Sequence, residues 1–509
     1  MLRSPSYTKY LPPGILVLSL LAVYLGSIAP GLTWANFGSD GGDLISAAAT
    51  GGVAHPTGYP IYLLVARLFQ LAPIGSLAFR TSLLSALSAG AAALLLYELV
   101  TRALPLFHGN KNWLAGLVSA YAFGLAPLVW SQAVITEVYA LQALFVVLIL
   151  HLASDNLPVW FTRERLDAGL GLTFGLAMCN HLTTVLLLPL LIPSPAINNP
   201  AVKGVIQIGG RWQLDSRSLF RRLIWLGVGL LVYLTLPLRA LSNPPVNWGN
   251  PLSVDGFGWL VSGRLYQGQL LDLTPALLLD RVRVVAGLLV TQFGPLGLLV
   301  GLIGLVIFFK PSRLIANTIW IAVAFSAFSV GYASSDSFLY LIPACLAFAI
   351  WIGVGLAGLM GITARRYPKI EFAAGALLLL YLFVQAGIHW PQVDASHDLR
   401  AERFGQAVLA QAPAHAILFA KGDKAIFTMW YFLYALHERP DLAIVATDLL
   451  RFDWYQKTLA SKYPGLALPG LFPFAETMAA LNPQRQACFI EYIEAAEIQC
   501  LPVNFFSPP

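Results

Sequence analysis

The chain is 509 residues long, 57% hydrophobic and only 11% charged, with a mean hydropathy of +0.70 and a net charge of +6. Soluble domains carry about 25% charged residues, so this composition excludes an ordinary soluble enzyme. It points to a polytopic membrane protein whose spanning backbone is helical, and the small basic excess fits loops that set orientation rather than a nucleic-acid surface.

Apolar runs predict spans near 11–30, 80–100, 113–130, 137–154, 222–238, 284–309, 314–332, 339–361 and 370–388, each near the roughly 20 residues a bilayer requires. No small-residue cleavage site follows the first run, which reads as a span and not as a signal peptide. The stretch 168–193 is too long and too broken for one span and reads as two short helices meeting near Asn180. Loop basic residues run from Arg3 and Lys9 through Lys111, Lys203, Arg211 and Lys310 to Arg365 and Arg366. They share one side, the cytoplasmic one, only if 168–193 crosses twice. The fold class is therefore a polytopic α-helical membrane protein of about eleven transmembrane helices, N-terminus inside and C-terminus outside. The outer face then carries the loop 31–79, the turns at 132–137, at Asn180-His181 and around Asp336, the loop 239–283, and everything after about 389.

Past 388 the pattern changes. Ala416–Ala420 and Leu442–Thr447 read as strands around a helix at Ala425–His437, a β–α–β order. This predicts a membrane domain over 1–388 and a small extracytoplasmic α/β domain over 389–509. Gly422-Asp423-Lys424 lacks the glycine spacing that cradles phosphate. Cys179 and Cys345 read as packing residues, whereas Cys488 and Cys500 share the outer domain, where spacing alone leaves a disulfide open.

The polar residues of the outer face carry the chemistry. Ser39-Asp40-Gly41-Gly42-Asp43 places two carboxylates near the membrane, where a charge is costly without water or a partner. Three residues apart on a helical turn they share a face, and their mutual repulsion raises one pKa, as a general base requires. Asp43 could equally cap a helix over Leu44–Thr50. His55-Pro56-Thr57-Gly58-Tyr59-Pro60 is a rigid turn whose histidine could bind phosphate or orient a carboxylate, or do neither. Glu137 at a helix start could contact sugar or acceptor, or merely complement the helix dipole. His181 lies within an apolar region, where an ionisable group is a functional suspect. Arg239 and Arg264 could hold an anionic phosphate or snorkel to lipid head groups. Tyr266 follows Arg264, and Trp248 could stack on a sugar or anchor at the interface. Zinc-protease, nucleophile-elbow and Walker A patterns are absent from the sequence. The two aspartates could also help hold a divalent ion, but two ligands do not make a metal site.

These residues resemble a known family. Asp40-Gly-Gly-Asp43-Leu and Gly52-Val-Ala-His55-Pro56-Thr-Gly58-Tyr59-Pro60 are similar to the first outer loop of a membrane glycosyltransferase family. Its animal member is the O-mannosyltransferase of IPT domains, and it has bacterial relatives. Thr136-Glu137-Val138-Tyr139, Asn180-His181, Leu236-Pro237-Leu238-Arg239, Asn243–Gly249 and Gly263-Arg264-Leu265-Tyr266 extend the likeness. So do Gly422-Asp423, Arg439-Pro440-Asp441 and Trp454-Tyr455 beyond the membrane half. The resemblance implies a GT-C bundle that transfers a sugar, mannose by analogy, from a polyprenyl-phosphate donor to an extracytoplasmic protein or glycan hydroxyl, with inversion. It implies a first-loop acid as base: Asp40, with Gly42-Asp43 standing where the family has Gly-Glu. His55, Tyr59, Glu137, His181, Arg239, Trp248, Arg264 and Tyr266 then bind donor or acceptor. The same chemistry on a glycolipid or cell-wall polymer is the nearest alternative. A transporter would place its ionisable residues near the midplane and show repeated halves, whereas here most sit at one face, and an assembly scaffold leaves the acidic loop unexplained.

Overall fold

The computed structural model describes residues 10–103, 112–154, 162–193, 215–272, 274–307, 312–364, 368–470, 474–492 and 496–502. The basic residues Arg3, Lys9, Lys111, Lys203, Arg211, Lys310, Arg365 and Arg366, which carry much of the orientation argument, lie outside them.

Helix α1 (Leu11–Ser27) leads into a tight 3-10 turn, Ala35–Asp40, and then the short helices α2 (Gly41–Thr50) and α3 (Pro60–Gln70). The long α4 (Leu77–Ala103) follows. The run expected at 113–130 is broken: α5 (Asn112–Gly124) and α6 (Pro127–Ala133) meet at 68°, because Pro127 can open a helix but not continue one. Next come α7 (Tyr139–Leu152) and α8 (Arg163–Met178). The chain turns at Asn180-His181 into a 3-10 segment, Leu182–Leu191. Helices α9 (Ser216–Leu230) and α10 (Thr235–Ala240) form one nearly continuous rod. The short α11 (Val254–Val261) precedes α12 (Pro275–Ile307), α13 (Arg313–Gly331), α14 (Ile342–Ala364) and α15 (Pro368–Val393).

Among the described residues six helices are long and apolar enough to cross a membrane, or seven if the bent α5–α6 pair counts as one. The expected eleven crossings are therefore not met by length. Leu11–Ser27, Pro60–Gln70, Tyr139–Leu152 and Leu182–Leu191 are apolar but only 10–17 residues long, and an α-helix of 14 residues reaches about 21 Å at 1.5 Å per residue. Helix α14 is the hub, with 83% of its apolar window buried, against 22% for the α9–α10 rod. It crosses α12 at the backbone. A Cβ on Gly304 would lie 1.9 Å from the Trp351 carbonyl, and one on Gly355 would lie 2.1 Å from that of Val300, so small residues set the approach as in other membrane bundles.

After α15 the chain builds an α/β layer from α16 (Arg400–Gln411), β1 (Ile417–Lys421), α17 (Asp423–Trp430), β2 (Ala443–Ala446), α18 (Asp453–Lys462), α19 (Ala475–Leu481), β3 (Ala487–Tyr492) and β4 (Ala496–Cys500). The sheet order is β2-β1-β3-β4. Strand β1 lies parallel to both neighbours and β4 runs antiparallel to β3. Cys488 and Cys500 face each other across β3–β4 and form a disulfide, while Cys179 and Cys345 are buried and free. The β1–α17–β2 unit is the expected β–α–β order. The layer is not detached: one buried core runs from α2 and α3 through the 246–260 loop into the sheet. Glu402 accepts a hydrogen bond from Leu32 N–H (2.9 Å), and Asp398 accepts from Thr33 Oγ1 (2.7 Å) and Trp34 N–H (3.0 Å).

Candidate active site

Two segments far apart in sequence build the floor of the site. Val53 N–H donates to the Val246 carbonyl (2.9 Å) and Trp248 N–H to the Val53 carbonyl (3.2 Å). A Cβ at position 52 would lie 2.4 Å from the Val246 carbonyl oxygen, so only glycine allows this approach. Gly58, at φ +84°, closes the next turn with its N–H on the His55 carbonyl (2.8 Å).

This arrangement aims His55 and Trp248 at Asp43. The Asp43 side chain is fully buried in the first turn of α2. One carboxylate oxygen accepts from His55 N–H (2.9 Å) and pairs with His55 Nδ1 (2.7 Å), and the other accepts from Trp248 Nε1 (3.0 Å). Asp43 caps nothing. Asp40 occupies the N-cap position of α2, yet its side chain makes no capping bond. The contacts of Asp40 are longer, with Ser39 Oγ at 3.4 Å and His55 Nε2 at 3.5 Å, and 35% of its side chain stays accessible. His55 therefore stands between a committed carboxylate and a nearly free one.

The surroundings are acidic. Among the described residues the carboxylate of Glu137, 4% exposed, accepts only from the N–H of Val138 (3.3 Å). Asp336 and Asp423 bring further negative charge close to Asp40. The loop bearing Asp336 is pinned by Arg281 of α12, which donates to the carbonyls of Ser329, Tyr332 and Ser334 and to Ser337 Oγ. Withdrawal from water raises the pKa of Asp40; the charge of His55 opposes this, and those of Asp43 and Asp336 add to it. Burial, then the Asp40 charge, pushes Glu137 well above the carboxylate range. The same two causes carry Asp423 to about 6. Burial works against charge on His55, but Asp40, the Asp43 hydrogen bond and Glu137 outweigh it and raise its pKa from 6.5 to about 9. The imidazole is therefore protonated at neutral pH.

A ring of aromatic side chains closes one side. Tyr59, Tyr139 and Tyr340 surround His181 at centroid distances of 6.2, 5.6 and 5.6 Å. His181 Nδ1 accepts from Thr183 N–H (3.3 Å), and burial, then the His55 charge, lowers its pKa to about 4. A neutral histidine with an Nε2–H donor results. Tyr266 lies within the field of Asp40 and Asp423. Among the described residues no group of three or more His, Cys, Asp or Glu is placed to hold a metal ion.

The structure thus gathers Asp40, Asp43, His55, Tyr59, Glu137, His181, Trp248 and Tyr266. It places the two arginines elsewhere: Arg239 Nη1 donates to the Gly52 carbonyl (3.1 Å) behind the loop, and the exposed Arg264 pairs with the exposed Asp255 (3.3 Å). Sequence reasoning missed Asp336, Asp423, Tyr139 and Tyr340 as site residues. Asp423 had one usable signal: it opens a helix directly after a strand, at an edge where parallel sheets present side chains.

Residues 40–198 match the family model described as the N-terminal domain of protein O-mannosyl-transferase TMEM260, and residues 401–472 match TMEM260-associated domain 2. The protein O-mannosyl-transferase TMEM260 of Mus musculus is 27% identical over 461 residues, which is 85% of this chain and 62% of that one. The chain spans about three fifths of the length of the curated relatives it matches. Among solved structures, ArnT from Cupriavidus metallidurans bound to undecaprenyl phosphate superposes with a TM-score of 0.55 at 14% identity, covering 95% of this chain and 94% of that one. The archaeal oligosaccharyltransferase AglB from Archaeoglobus fulgidus, in complex with an inhibitory peptide and a dolichol-phosphate, gives 0.50 at 11% identity over 99% and 75%. At these identities the two structures establish the fold, a GT-C membrane bundle.

Proposed function

The chain is a relative of the TMEM260 protein O-mannosyl-transferases, and from that premise we propose that it transfers a sugar, mannose, from a polyprenyl phosphate to a serine or threonine hydroxyl of a protein. One observation carries the assignment of roles. Of the two first-loop carboxylates, Asp43 is consumed by three close hydrogen bonds, while Asp40 is accessible and weakly bonded. A base must be free to take a proton.

In the reaction, Asp40 removes the hydroxyl proton of the acceptor as that oxygen attacks the anomeric carbon. The carbon–oxygen bond to phosphate breaks, and polyprenyl phosphate departs with the bonding pair. A single displacement inverts the anomeric centre. The leaving group is already a stable anion and needs a positive field more than a proton. His55, held protonated by Asp40 and Asp43, supplies that field, since Arg239 donates to the Gly52 carbonyl and Arg264 pairs with Asp255. Glu137, neutral His181 and Tyr59 are the groups that bind sugar hydroxyls. The site opens on the extracytoplasmic face of the cytoplasmic membrane, with the N-terminus inside and the α/β layer outside. The Cys488–Cys500 disulfide supports that placement, because such bonds persist in oxidising compartments.

The test is mannose transfer from a synthetic polyprenyl phosphate to a threonine peptide by protein purified into lipid. Asp40→Asn should lower kcat about 10²- to 10⁴-fold, the span of general-base contributions, and the product should carry the inverted linkage by NMR. Retained configuration, or an active Asp40→Asn, would remove Asp40 as the base.

A further inference from the structure

We infer that Asp423, carried by the α/β layer, determines acceptor specificity: its carboxylate accepts a hydrogen bond from an N–H or ammonium group beside the acceptor hydroxyl. The inference rests on the glycosyltransferase reading and extends it to the acceptor side.

The geometry begins at β1. Gly422, at φ +79° with its N–H on Asp448 (3.0 Å), turns the chain from β1 into α17 at Asp423. One turn later α17 is locked onto the first loop. A Cβ on Gly42 would lie 2.3 Å from the Phe427 carbonyl oxygen, and the Phe427 ring stacks on His55 at 6.3 Å and 17°. Residues four apart share a helix face, so the helix that seats Phe427 on His55 also presents Asp423 to the site. Its charge is felt at Asp40, His55 and Asp43.

Three features make this carboxylate a ligand-facing group. It reaches solvent while being partly withdrawn from water among the other carboxylates, and has no hydrogen-bond or ion-pair partner among the described residues. The adjacent Lys424 is drawn off, its ammonium 5.5 Å from the Trp34 ring and 5.2 Å from that of Tyr492. Asp423 also comes from the sheet side, whereas Glu137, His181 and the tyrosine ring come from turns and helix ends of the chain before α15. A lipid-linked donor enters from the membrane, which leaves the sheet side to the acceptor. A carboxylate can only accept, so the acceptor group it holds is a donor: the amide of the acceptor residue or a flanking lysine or arginine. The competing role is a charge at the start of α17, which favours a helix N-terminus but contacts no substrate.

The experiment uses the full chain in lipid with synthetic polyprenyl phosphate mannose and threonine peptides that differ only in a flanking Lys, Ala or Glu. Peptide transfer and donor hydrolysis are followed together for wild type, Asp423→Asn and Asp423→Glu. A hydrogen bond to a charged group predicts about a tenfold rise in peptide KM for Asp423→Asn. The ratio of transfer to hydrolysis should fall by the same factor, the Lys-over-Glu preference should be lost, and Asp423→Glu should partly restore both. An unchanged KM, or transfer and hydrolysis falling together at constant ratio, overturns the acceptor role and leaves a helix-end charge. A wild type that neither hydrolyses donor nor transfers sugar overturns the glycosyltransferase reading itself, and this inference with it.

Discussion

Replacing each first-loop aspartate by asparagine should separate stability from catalysis. Asp43 is fully buried and receives the His55 N–H, His55 Nδ1 and Trp248 Nε1 at 2.9, 2.7 and 3.0 Å. A carboxamide keeps the shape but turns one acceptor into an NH2 group, so at least one donor then faces another. It also strips the charge that opposes protonated His55. Breaking a buried ion pair from one side costs about 3–5 kcal/mol, and that is the expected loss for Asp43→Asn. Asp40 has only contacts of 3.4 and 3.5 Å and is partly accessible, so Asp40→Asn should cost less than about 1 kcal/mol, as exposed pairs do. It should even gain slightly, because Asp40 is crowded by like charges. Unfolding of both variants by denaturant in one detergent, followed by tryptophan fluorescence, reads the difference directly. A gap of about 3 kcal/mol is more than a hundredfold in the unfolding constant. The reasoning fails if Asp43→Asn unfolds like wild type while Asp40→Asn is the unstable variant.

Trp248→Phe removes the single donor to one Asp43 oxygen while keeping an aromatic ring. It should cost about 1–3 kcal/mol, and its effect should be non-additive with Asp43→Asn in a double-mutant cycle; strict additivity would mean that the 3.0 Å bond carries no energy. Gly42→Ala places a methyl 2.3 Å from the Phe427 carbonyl; overpacking of this kind costs about 1–3 kcal/mol. The variant should lose transfer activity as α17 shifts, and a fully active Gly42→Ala would show that the α/β layer does not set the site. His55 titrates at about 9 when folded against 6.5 in the unfolded chain. Its contribution, about 3 kcal/mol, is complete below pH 6.5 and disappears as pH rises through 9. Wild type should therefore lose stability between pH 6.5 and 9 relative to His55→Gln, and parallel pH profiles of the two would contradict the assignment.

The fold was legible where the sequence is periodic and long. Leu77–Ala103 and Arg313–Gly331 fall within three residues of their expected spans, since each is an unbroken apolar run that only a helix can satisfy in lipid. The α5–α6 break was signalled by Pro127, yet the run around it is apolar throughout, and hydropathy averages across a bend. Helix α3 reads as loop in the sequence because Pro60 and Gly58 dominate its start. Proline at the first helical position begins a helix as readily as it ends one. The crossing number is not settled by hydropathy for a related reason: apolar content does not fix length, and four apolar helices among the described residues are only 10–17 residues long.

The site was legible as a set of residues but not as a set of roles. Asp40 and Asp43 look alike in sequence, and their difference is made by His55 and Trp248, which lie 12 and 205 positions from Asp43. No local pattern encodes that pairing. It requires Gly52 to admit the Val246 carbonyl, so the decisive residue is one that does no chemistry. The arginines were legible as residues but not as contacts. A guanidinium near a membrane surface suits phosphate, but five donors suit backbone carbonyls equally well. Arg239 and Arg281 both spend theirs holding loops that carry site residues. Positive charge at the centre is left to a histidine, whose protonation depends on the carboxylates around it. The acidity of the cluster and the basicity of His55 are then one property. Asp40 and Asp43 keep His55 charged, and His55 in turn keeps Asp40 from being neutralised by its neighbours and so free to accept a proton. Removing His55 should therefore raise the pKa of Asp40, and removing Asp40 or Asp43 should lower that of His55.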